Sequence, residues 1–175
     1  MLGAARTAWD ARAWTPAAAP GLTFVLDPSA SFTTTATNQW QKSGGSEGWN
    51  ANVFGQDGFN SGTMIMQPKT TTDDFMVGMS TNNTVTGYPG IDWGISVQAG
   101  GTLEIYNGGG SGGNIGTYTT SSLIKMEWTA SDIRYYVDNG GGYVLKATYA
   151  RSNVTLYLNW CYNNIGAEGL LVSLS

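Results

Sequence analysis

From Leu22 to the C-terminus, hydrophobic positions recur with a period of two or stand in short continuous runs, separated by clusters of Gly, Asn, Asp and Ser. Because successive side chains of a β-strand point to opposite faces, each alternating run should turn its apolar members toward a core. The clearest alternating triplets are Phe75, Val77 and Met79, then Ile124, Met126 and Trp128, and then Ile133, Tyr135 and Val137. Further strand-like runs occupy residues 23–26, 49–54, 63–67, 91–97, 102–106, 143–148, 154–160 and 169–174.

Together these runs predict about ten to thirteen short strands, at the spacing that is typical of two antiparallel sheets packed face to face. The pairs Asn107-Gly108 and Asn139-Gly140 supply the positive φ angles that tight hairpins need. The glycine-rich run 108–114 is expected to be a flexible loop. It is not a phosphate-binding loop, because it lacks the required lysine and the helix that follows. The pattern therefore predicts an all-β sandwich.

Residues 1–21 differ from the rest of the chain, since they are rich in alanine and contain two tryptophans and two prolines. A helix of two or three turns in this stretch would be marginal without a surface to pack against. We therefore expect residues 1–21 to be an N-terminal docking arm and residues 22–175 to be a single domain. Trp9 and Trp14 are expected to be interface anchors on a neighbouring chain, with packing onto their own domain as an equal alternative.

The composition excludes several classes of protein. The chain of 175 residues has no histidine, which removes Ser-His-Asp and Cys-His catalytic groups and all imidazole metal sites. A net charge of −4 and the lack of any basic run argue against a nucleic-acid partner. No apolar run approaches the ~20 residues of a membrane span, so no membrane partner is expected. The single Cys161 lies in an apolar run and is expected to be structural.

Carboxylates are few and lie apart in the sequence, so no catalytic pair is expected. A glycosidase would need two carboxylates about 5–10 Å apart across a cleft, and each glutamate in this chain lacks a partner at the spacing of laminarinase-type enzymes. These glutamates are Glu47, Glu104, Glu127 and Glu168. Asp57, Asn60 and Asp73 could contribute to a calcium site, but no calcium-loop motif supports one. We therefore expect a protein without catalytic residues, metal ligands or cofactors.

Several segments resemble, in order, the strands of SPRY-like, concanavalin-like jelly-roll modules in bacteriophage structural proteins. The resemblance covers roughly two-thirds of the chain and is strongest where residues 123–128 are followed by Asp132-Ile133-Arg134-Tyr135-Tyr136-Val137-Asp138-Asn139-Gly140. The other matching segments are SEGWNA at 46–51, DFMVGMS at 74–80, GIDWGISV at 90–97 and GTLEIYNG at 101–108. The sequence departs from the family at Met79 and in its glycine-rich insertions. The resemblance implies a two-sheet antiparallel jelly-roll sandwich.

The resemblance further implies a non-enzymatic virion protein of a tailed phage, such as a capsid decoration, head-fibre or tail-associated module. Its arm would dock on capsid or tail proteins, and it would stand at the virion surface, with a homo-oligomer expected. The alternative is a secreted carbohydrate-binding module or lectin, which would be extracellular.

In either case, the candidate glycan-binding residues are Asn82, Asn83 and Tyr88, in the loop at 81–90. The competing interpretation is that the two asparagines satisfy turn backbone and that Tyr88 packs at a strand end. Four tryptophans are expected to lie in strands and to belong to the core: Trp49, Trp93, Trp128 and Trp160.

Overall fold

The computed structural model describes residues 22–175 and contains two antiparallel sheets of seven strands each. The first seven strands are β1 (Phe24–Leu26), β2 (Ser31–Ala36), β3 (Gln39–Gly44), β4 (Ala51–Phe59), β5 (Gly62–Pro68), β6 (Phe75–Ser80) and β7 (Trp93–Gln98). The other seven are β8 (Thr102–Asn107), β9 (Gly110–Thr117), β10 (Leu123–Trp128), β11 (Asp132–Asp138), β12 (Val144–Ala150), β13 (Leu156–Tyr162) and β14 (Glu168–Leu174).

The chain crosses repeatedly between the two sheets. The first sheet has the order β1-β4-β13-β6-β7-β8-β9, and the second has the order β12-β11-β10-β5-β14-β3-β2. This architecture confirms the predicted all-β sandwich of two antiparallel sheets. The only helical element in residues 22–175 is a single 3-10 turn at Tyr88–Gly90, and no helix there is long and apolar enough to cross a membrane.

The core lies between the sheets and is built from the predicted alternations. Every member of the three alternating triplets is buried, and Trp128 and Trp160 are also buried, as predicted. The rings of Trp160 and Tyr162 lie nearly parallel, with centroids 6.0 Å apart and planes 2° apart. Burying such large aromatic surfaces is the main apolar contribution to the stability of the sandwich.

The other two tryptophans differ from the prediction. Trp93 does lie in β7, but it is only half-buried and packs against the edge of the core. Trp49 lies outside the strands, in the segment just before β4, and is also half-buried. Conversely, the buried Trp40 of β3 was not among the predicted core residues.

The glycine-rich run 108–114 is not simply a flexible loop, because its residues 110–114 belong to strand β9. This strand pairs with β8 through backbone hydrogen bonds, which need no particular side chain. Tyr149 of β12 donates a hydrogen bond of 3.2 Å to the Gly112 carbonyl. A Cβ atom at Gly112 would lie 2.7 Å from the same hydroxyl, so glycine is required there by close packing.

The structure has fourteen strands in its described part, which is more than the ten to thirteen predicted. β2, β3 and β9 are the strands that the apolar pattern missed. Their sequences are SFTTTA, QWQKSG and GSGGNIGT, which are mainly polar or glycine. β2 and β9 are edge strands, where few side chains are buried and an apolar pattern is not needed.

Candidate functional site

The outer face of the first sheet is partly covered by residues 81–92, here called the crossing loop. The loop is held at both ends, since Asp92 Oδ2 accepts hydrogen bonds from the backbone N–H and the hydroxyl of Thr81, at 2.7 and 2.8 Å. The Ser80 hydroxyl donates to the Gly90 carbonyl at 2.5 Å. The Gly87 N–H donates to Asn52 Oδ1 at 2.8 Å. These bonds fix the loop against strands β4 and β6.

Glycines let the crossing loop approach the sheet closely. A Cβ atom at Gly78 would lie 2.9 Å from Ile91 Cγ2, and one at Gly94 would lie 2.7 Å from the same atom. Ile91 is fully buried and packs with Met76, Tyr106 and Cys161 in a second apolar cluster. The outer face of the first sheet is therefore a packed surface at its centre, with the loop as its cover.

One row of paired residues runs across this outer face and connects two concave regions. Gly78 and Gly94 lie in the middle of the row, beneath Ile91. The row reads Val25, Phe54, Asn159, Gly78, Gly94, Tyr106 and Ser111. Both pockets described below lie at the ends of this row, one on either side of the crossing loop.

The first pocket, here called the aromatic pocket, has a volume of about 170 Å³ and contains three aromatic side chains. The Tyr88 ring lies between the other two, with its centroid 5.5 Å from that of Trp49 and 5.7 Å from that of Tyr106. Both contacts are edge-to-face, the preferred geometry for aromatic pairs. Met76 of β6 and Ser96 of β7 are register partners and lie at the floor.

Glu104 supplies the charged group of the aromatic pocket. One of its oxygens accepts a hydrogen bond from the Ser111 hydroxyl, and the other accepts one of 2.7 Å from Gln98 Nε2. Both donors are neutral, so these contacts bring no positive charge to the carboxylate. Each carboxylate oxygen has further lone pairs that can accept hydrogen bonds from a ligand.

Tyr106 adds a hydroxyl to the same wall. Burial raises the pKa of Tyr106, and the neighbouring Tyr88 and Asp92 raise it further. The phenol therefore stays protonated at neutral pH and can donate a hydrogen bond. The aromatic pocket thus combines ring surfaces with one strong acceptor and one hydroxyl donor.

A buried lysine positions Trp49 in this pocket. Lys42 of β3 is 1% exposed, and its ammonium donates hydrogen bonds to the carbonyls of Gly48 and Asn163 and to Asn50 Oδ1, at 3.0, 2.7 and 2.8 Å. These bonds hold the residues on either side of Trp49. Burial lowers the pKa of Lys42, and the nearby Glu47 carboxylate opposes that shift. The sequence analysis did not identify Lys42. The available signal was its position two residues after Trp40, which places both side chains on the same buried face of β3.

The structure separates the three candidate glycan-binding residues. Tyr88 lies in the aromatic pocket, whereas Asn83 lines a second pocket on the other side of the crossing loop. Asn82 Oδ1 accepts hydrogen bonds from the N–H and the hydroxyl of Thr84, at 3.0 and 2.8 Å, as in the turn interpretation. The predicted trio therefore does not form one site. Trp9 and Trp14 lie outside the described residues.

The second pocket, here called the Asp27 pocket, has a volume of about 400 Å³. It lies at the β1–β4 end of the row, where Val25 and Phe54 are register partners. Its walls are partly apolar and partly formed by amide and hydroxyl groups. The lining residues are Val25, Asp27, Pro28, Phe54, Gln56, Asn83, Thr84 and Thr86.

The glutamates outside the pocket are bound to separate parts of the sandwich. Glu47 accepts hydrogen bonds from Asn164 and Ile165, and Glu127 pairs with Lys125 at 2.7 Å. Glu168 accepts from Thr35 and Gln39. Within residues 22–175, no three His, Cys, Asp or Glu side chains are grouped so that they could hold a metal ion.

Comparison with known proteins identifies the fold but no family. No protein-family model matches the chain, and no curated protein matches its sequence. The PSpry domain of TRIM65 superposes with a TM-score of 0.62 at 16% identity, over 85% of this chain and 90% of that domain. A legume lectin-like domain from Entamoeba histolytica superposes with a TM-score of 0.60 at 9% identity, over 87% of this chain and 88% of that one.

A third similar structure is the carbohydrate-binding module CBM66 from Bacillus subtilis. It superposes with a TM-score of 0.52 at 13% identity, over 88% of this chain and 93% of that module. At such low identity these likenesses concern the fold alone. The chain therefore has the SPRY-like, concanavalin-like sandwich fold, which the resemblance of its strand motifs predicted.

Proposed function

We propose that this protein is a non-catalytic binding module that recognises a saccharide in the aromatic pocket. The observation that carries the proposal is the position of the Tyr88 ring between Trp49 and Tyr106, beside the Glu104 carboxylate. Sugars present C–H faces that pack on aromatic rings and hydroxyls that donate to carboxylates. The likeness to a legume lectin-like domain and to a carbohydrate-binding module supports this choice of ligand.

The pocket favours weak binding of a short saccharide unit. Its volume of about 170 Å³ is below the range of about 300–1,000 Å³ typical of pockets for larger ligands. One sugar unit would contact Tyr88 and Glu104 while the rest of the glycan lies outside. Several copies of the module on one particle or surface would raise the overall affinity through avidity.

Binding without turnover is proposed because the pocket contains a single carboxylate. Glycoside hydrolysis requires two carboxyl groups about 5–10 Å apart, and Glu104 is the one acidic residue in the described part of the chain, residues 22–175, that lines the aromatic pocket. Both of its oxygens already accept hydrogen bonds from Ser111 and Gln98. Glu104 is therefore proposed to accept hydrogen bonds from sugar hydroxyls and to take no part in proton transfer.

A glycan array followed by titration of the best ligand tests the proposal. Tyr88→Ala should weaken binding about tenfold, because one aromatic contact is lost, and Glu104→Gln should also weaken it. Tyr143→Ala is the matched control, since Tyr143 has the same 37% exposure as Tyr88 but lies next to β12 of the other sheet. Absence of any glycan ligand, or equal losses in the Tyr88 and Tyr143 variants, would contradict the proposal.

We also propose that the module acts as a virion protein of a tailed phage, docked on capsid or tail proteins by residues 1–21. The support is the ordered resemblance of its strand motifs to SPRY-like modules of phage structural proteins. A protein without residues 1–21 should remain folded but should no longer associate with particles. Normal association of the truncated protein would contradict docking by residues 1–21, whereas a full-length protein that never associates with particles would favour the extracellular lectin.

A further inference from the structure

Asp27 is a buried carboxylate with one oxygen left without a partner. It follows β1 directly and is 5% exposed. Its Oδ1 atom accepts hydrogen bonds from the N–H and the hydroxyl of Ser29, at 2.9 and 2.6 Å. Its Oδ2 atom is fully buried, and no donor among the described residues reaches it. A buried acceptor of this kind is costly and needs an explanation.

The surroundings of Asp27 indicate what would satisfy this oxygen. Among residues 22–175, Asp27 is the only acidic or basic residue that lines the pocket, and the polar groups beside it are neutral. Gln56, Asn83, Thr84 and Thr86 contribute neutral oxygen atoms to the same walls, and Val25, Pro28 and Phe54 contribute apolar surface. The pocket thus places one carboxylate beside apolar side chains.

We propose that the Asp27 pocket binds a basic side chain, an arginine or a lysine, with Asp27 as its counter-ion. The guanidinium or ammonium group would pair with the Asp27 carboxylate, whose small exposed part lines the pocket, and would donate to the neighbouring amide and hydroxyl oxygens. The methylene stem would lie against Val25, Pro28 and Phe54, as long basic side chains do on apolar surfaces. A charged donor to a carboxylate forms one of the stronger hydrogen bonds available in proteins.

Other ligands fit this pocket less well. A divalent cation would need six or more oxygen ligands and usually several carboxylates, whereas the pocket offers one. A sugar would need an exposed ring to pack against, but Phe54 is only 6% exposed. The aromatic pocket offers such rings, so the two ends of the row are proposed to take different ligands.

The basic side chain has two sources, a partner protein or this chain's own N-terminal residues. Arg6 and Arg12 precede β1 in the sequence, and β1 forms one wall of the pocket. An arginine of a second protein would present the same chemistry. The following experiment separates the two sources.

The test uses the full chain and Nα-acetyl-arginine N-methylamide as the probe, followed by NMR through the amide signals of Val25, Thr84 and Thr86. The probe should shift these signals, and the corresponding citrulline amide, a neutral analogue of the same shape, should bind at least about tenfold more weakly. Asp27→Asn should cause a similar loss, while Asp138→Asn, which removes one charge on the other sheet, should not. Equal binding of the arginine and citrulline probes would overturn the proposal, even if the Asp27 variant failed to fold.

The source is identified with the variant Arg6→Ala/Arg12→Ala. If the chain's own arginines occupy the pocket, this variant should bind the probe more tightly than the parent protein, because a competitor has been removed. If a partner supplies the side chain, the parent and the variant should bind the probe equally. A probe that binds neither protein would contradict the proposal. This test is independent of the saccharide ligand, which binds on the other side of the crossing loop.

Discussion

The ammonium of Lys42 lies 3.0 Å from the carbonyl oxygen of Gly48, the residue that precedes Trp49. This bond connects the second sheet, in which Lys42 lies, to a side chain of the aromatic pocket on the first sheet. Lys42 is therefore a positioning residue, since it acts on the pocket through the backbone around Trp49.

Lys42→Met should lower the free energy of unfolding by about 1–3 kcal/mol, because the buried ammonium makes three hydrogen bonds, and their partly exposed acceptors would lose their donor. The same variant should weaken saccharide binding, since Trp49 is no longer held. Urea denaturation and titration of the saccharide measure the two effects. Lys146→Met is the control: Lys146 of β12 is exposed, and its loss should change stability by about 0.5 kcal/mol or less. Equal effects of the two substitutions would show that the buried bonds of Lys42 are unimportant.

Gly94→Ala should destabilise the protein by about 1–3 kcal/mol, because the new Cβ atom would lie 2.7 Å from Ile91 Cγ2. The crossing loop should move away from the sheet, and the environment of Tyr88 should change. Tyrosine and tryptophan fluorescence, together with urea denaturation, measures this change. Gly110→Ala serves as the control, since nothing lies within 4 Å of its Cβ position, and should change stability by less than about 0.5 kcal/mol.

A double substitution tests why Gly94→Ala should lower the stability. Ile91→Ala removes the atom that Gly94→Ala would contact, at a cost of its own of about 2–5 kcal/mol. The double variant should lose less stability than the sum of the two single losses, because the contact is no longer present. Strict additivity would mean that Gly94 is required for some other reason, such as the 3.1 Å distance between a Cβ atom at this position and the Val77 carbonyl oxygen.

Stability should fall at alkaline pH, because buried acidic groups keep their protons in the folded state. Burial raises the pKa of Cys161 to about 12, and that of Tyr118 likewise to about 12. Unfolded chains release these protons near pH 8.5 and pH 10. Between those values and about pH 12, the unfolded state binds fewer protons than the folded state, so the free energy of unfolding decreases by up to about 1.4 kcal/mol per pH unit and group.

Cys161→Ala tests the contribution of one group. At pH 7 this variant should lose about 1 kcal/mol through reduced packing. Between pH 8.5 and pH 11 its stability should fall less steeply than that of the parent protein, because one of the linked protons is absent. Urea denaturation at several pH values gives both slopes. Identical slopes would indicate that the Cys161 thiol ionises equally in both states.

Gly112→Ala tests whether β9 is an ordered strand. The new methyl group would lie 2.7 Å from the Tyr149 hydroxyl and should cost about 1–3 kcal/mol. Tyr149→Phe should relieve part of this loss, since it removes the hydroxyl. Hydrogen exchange of the amides of β9 provides a second measurement: those that pair with β8 should be protected. Unprotected amides throughout residues 110–117 would favour the flexible loop that the composition predicted.

The core of the sandwich was predictable from the sequence, because burial of one strand face imposes a period of two on the apolar residues. Phe75, Val77 and Met79 show this period and are fully buried. Edge strands such as β2 and β9 were not predictable in this way, because backbone pairing makes few demands on their side chains. Gly78 and Gly94 lie within strands, and glycine in a strand indicates that another part of the chain approaches the backbone closely.

The two pockets depend on the tertiary structure. Composition and patterning were enough to predict an acidic, histidine-free chain with a two-sheet core and to identify Tyr88 as a loop aromatic residue. Only folding placed Tyr88 between Trp49 and Tyr106, and only folding separated it from Asn83. The physical reason is that a period of two assigns residues to a face of a strand but carries no information on which strands become neighbours. Strand order and loop path arise from long-range packing, and both pockets depend on them.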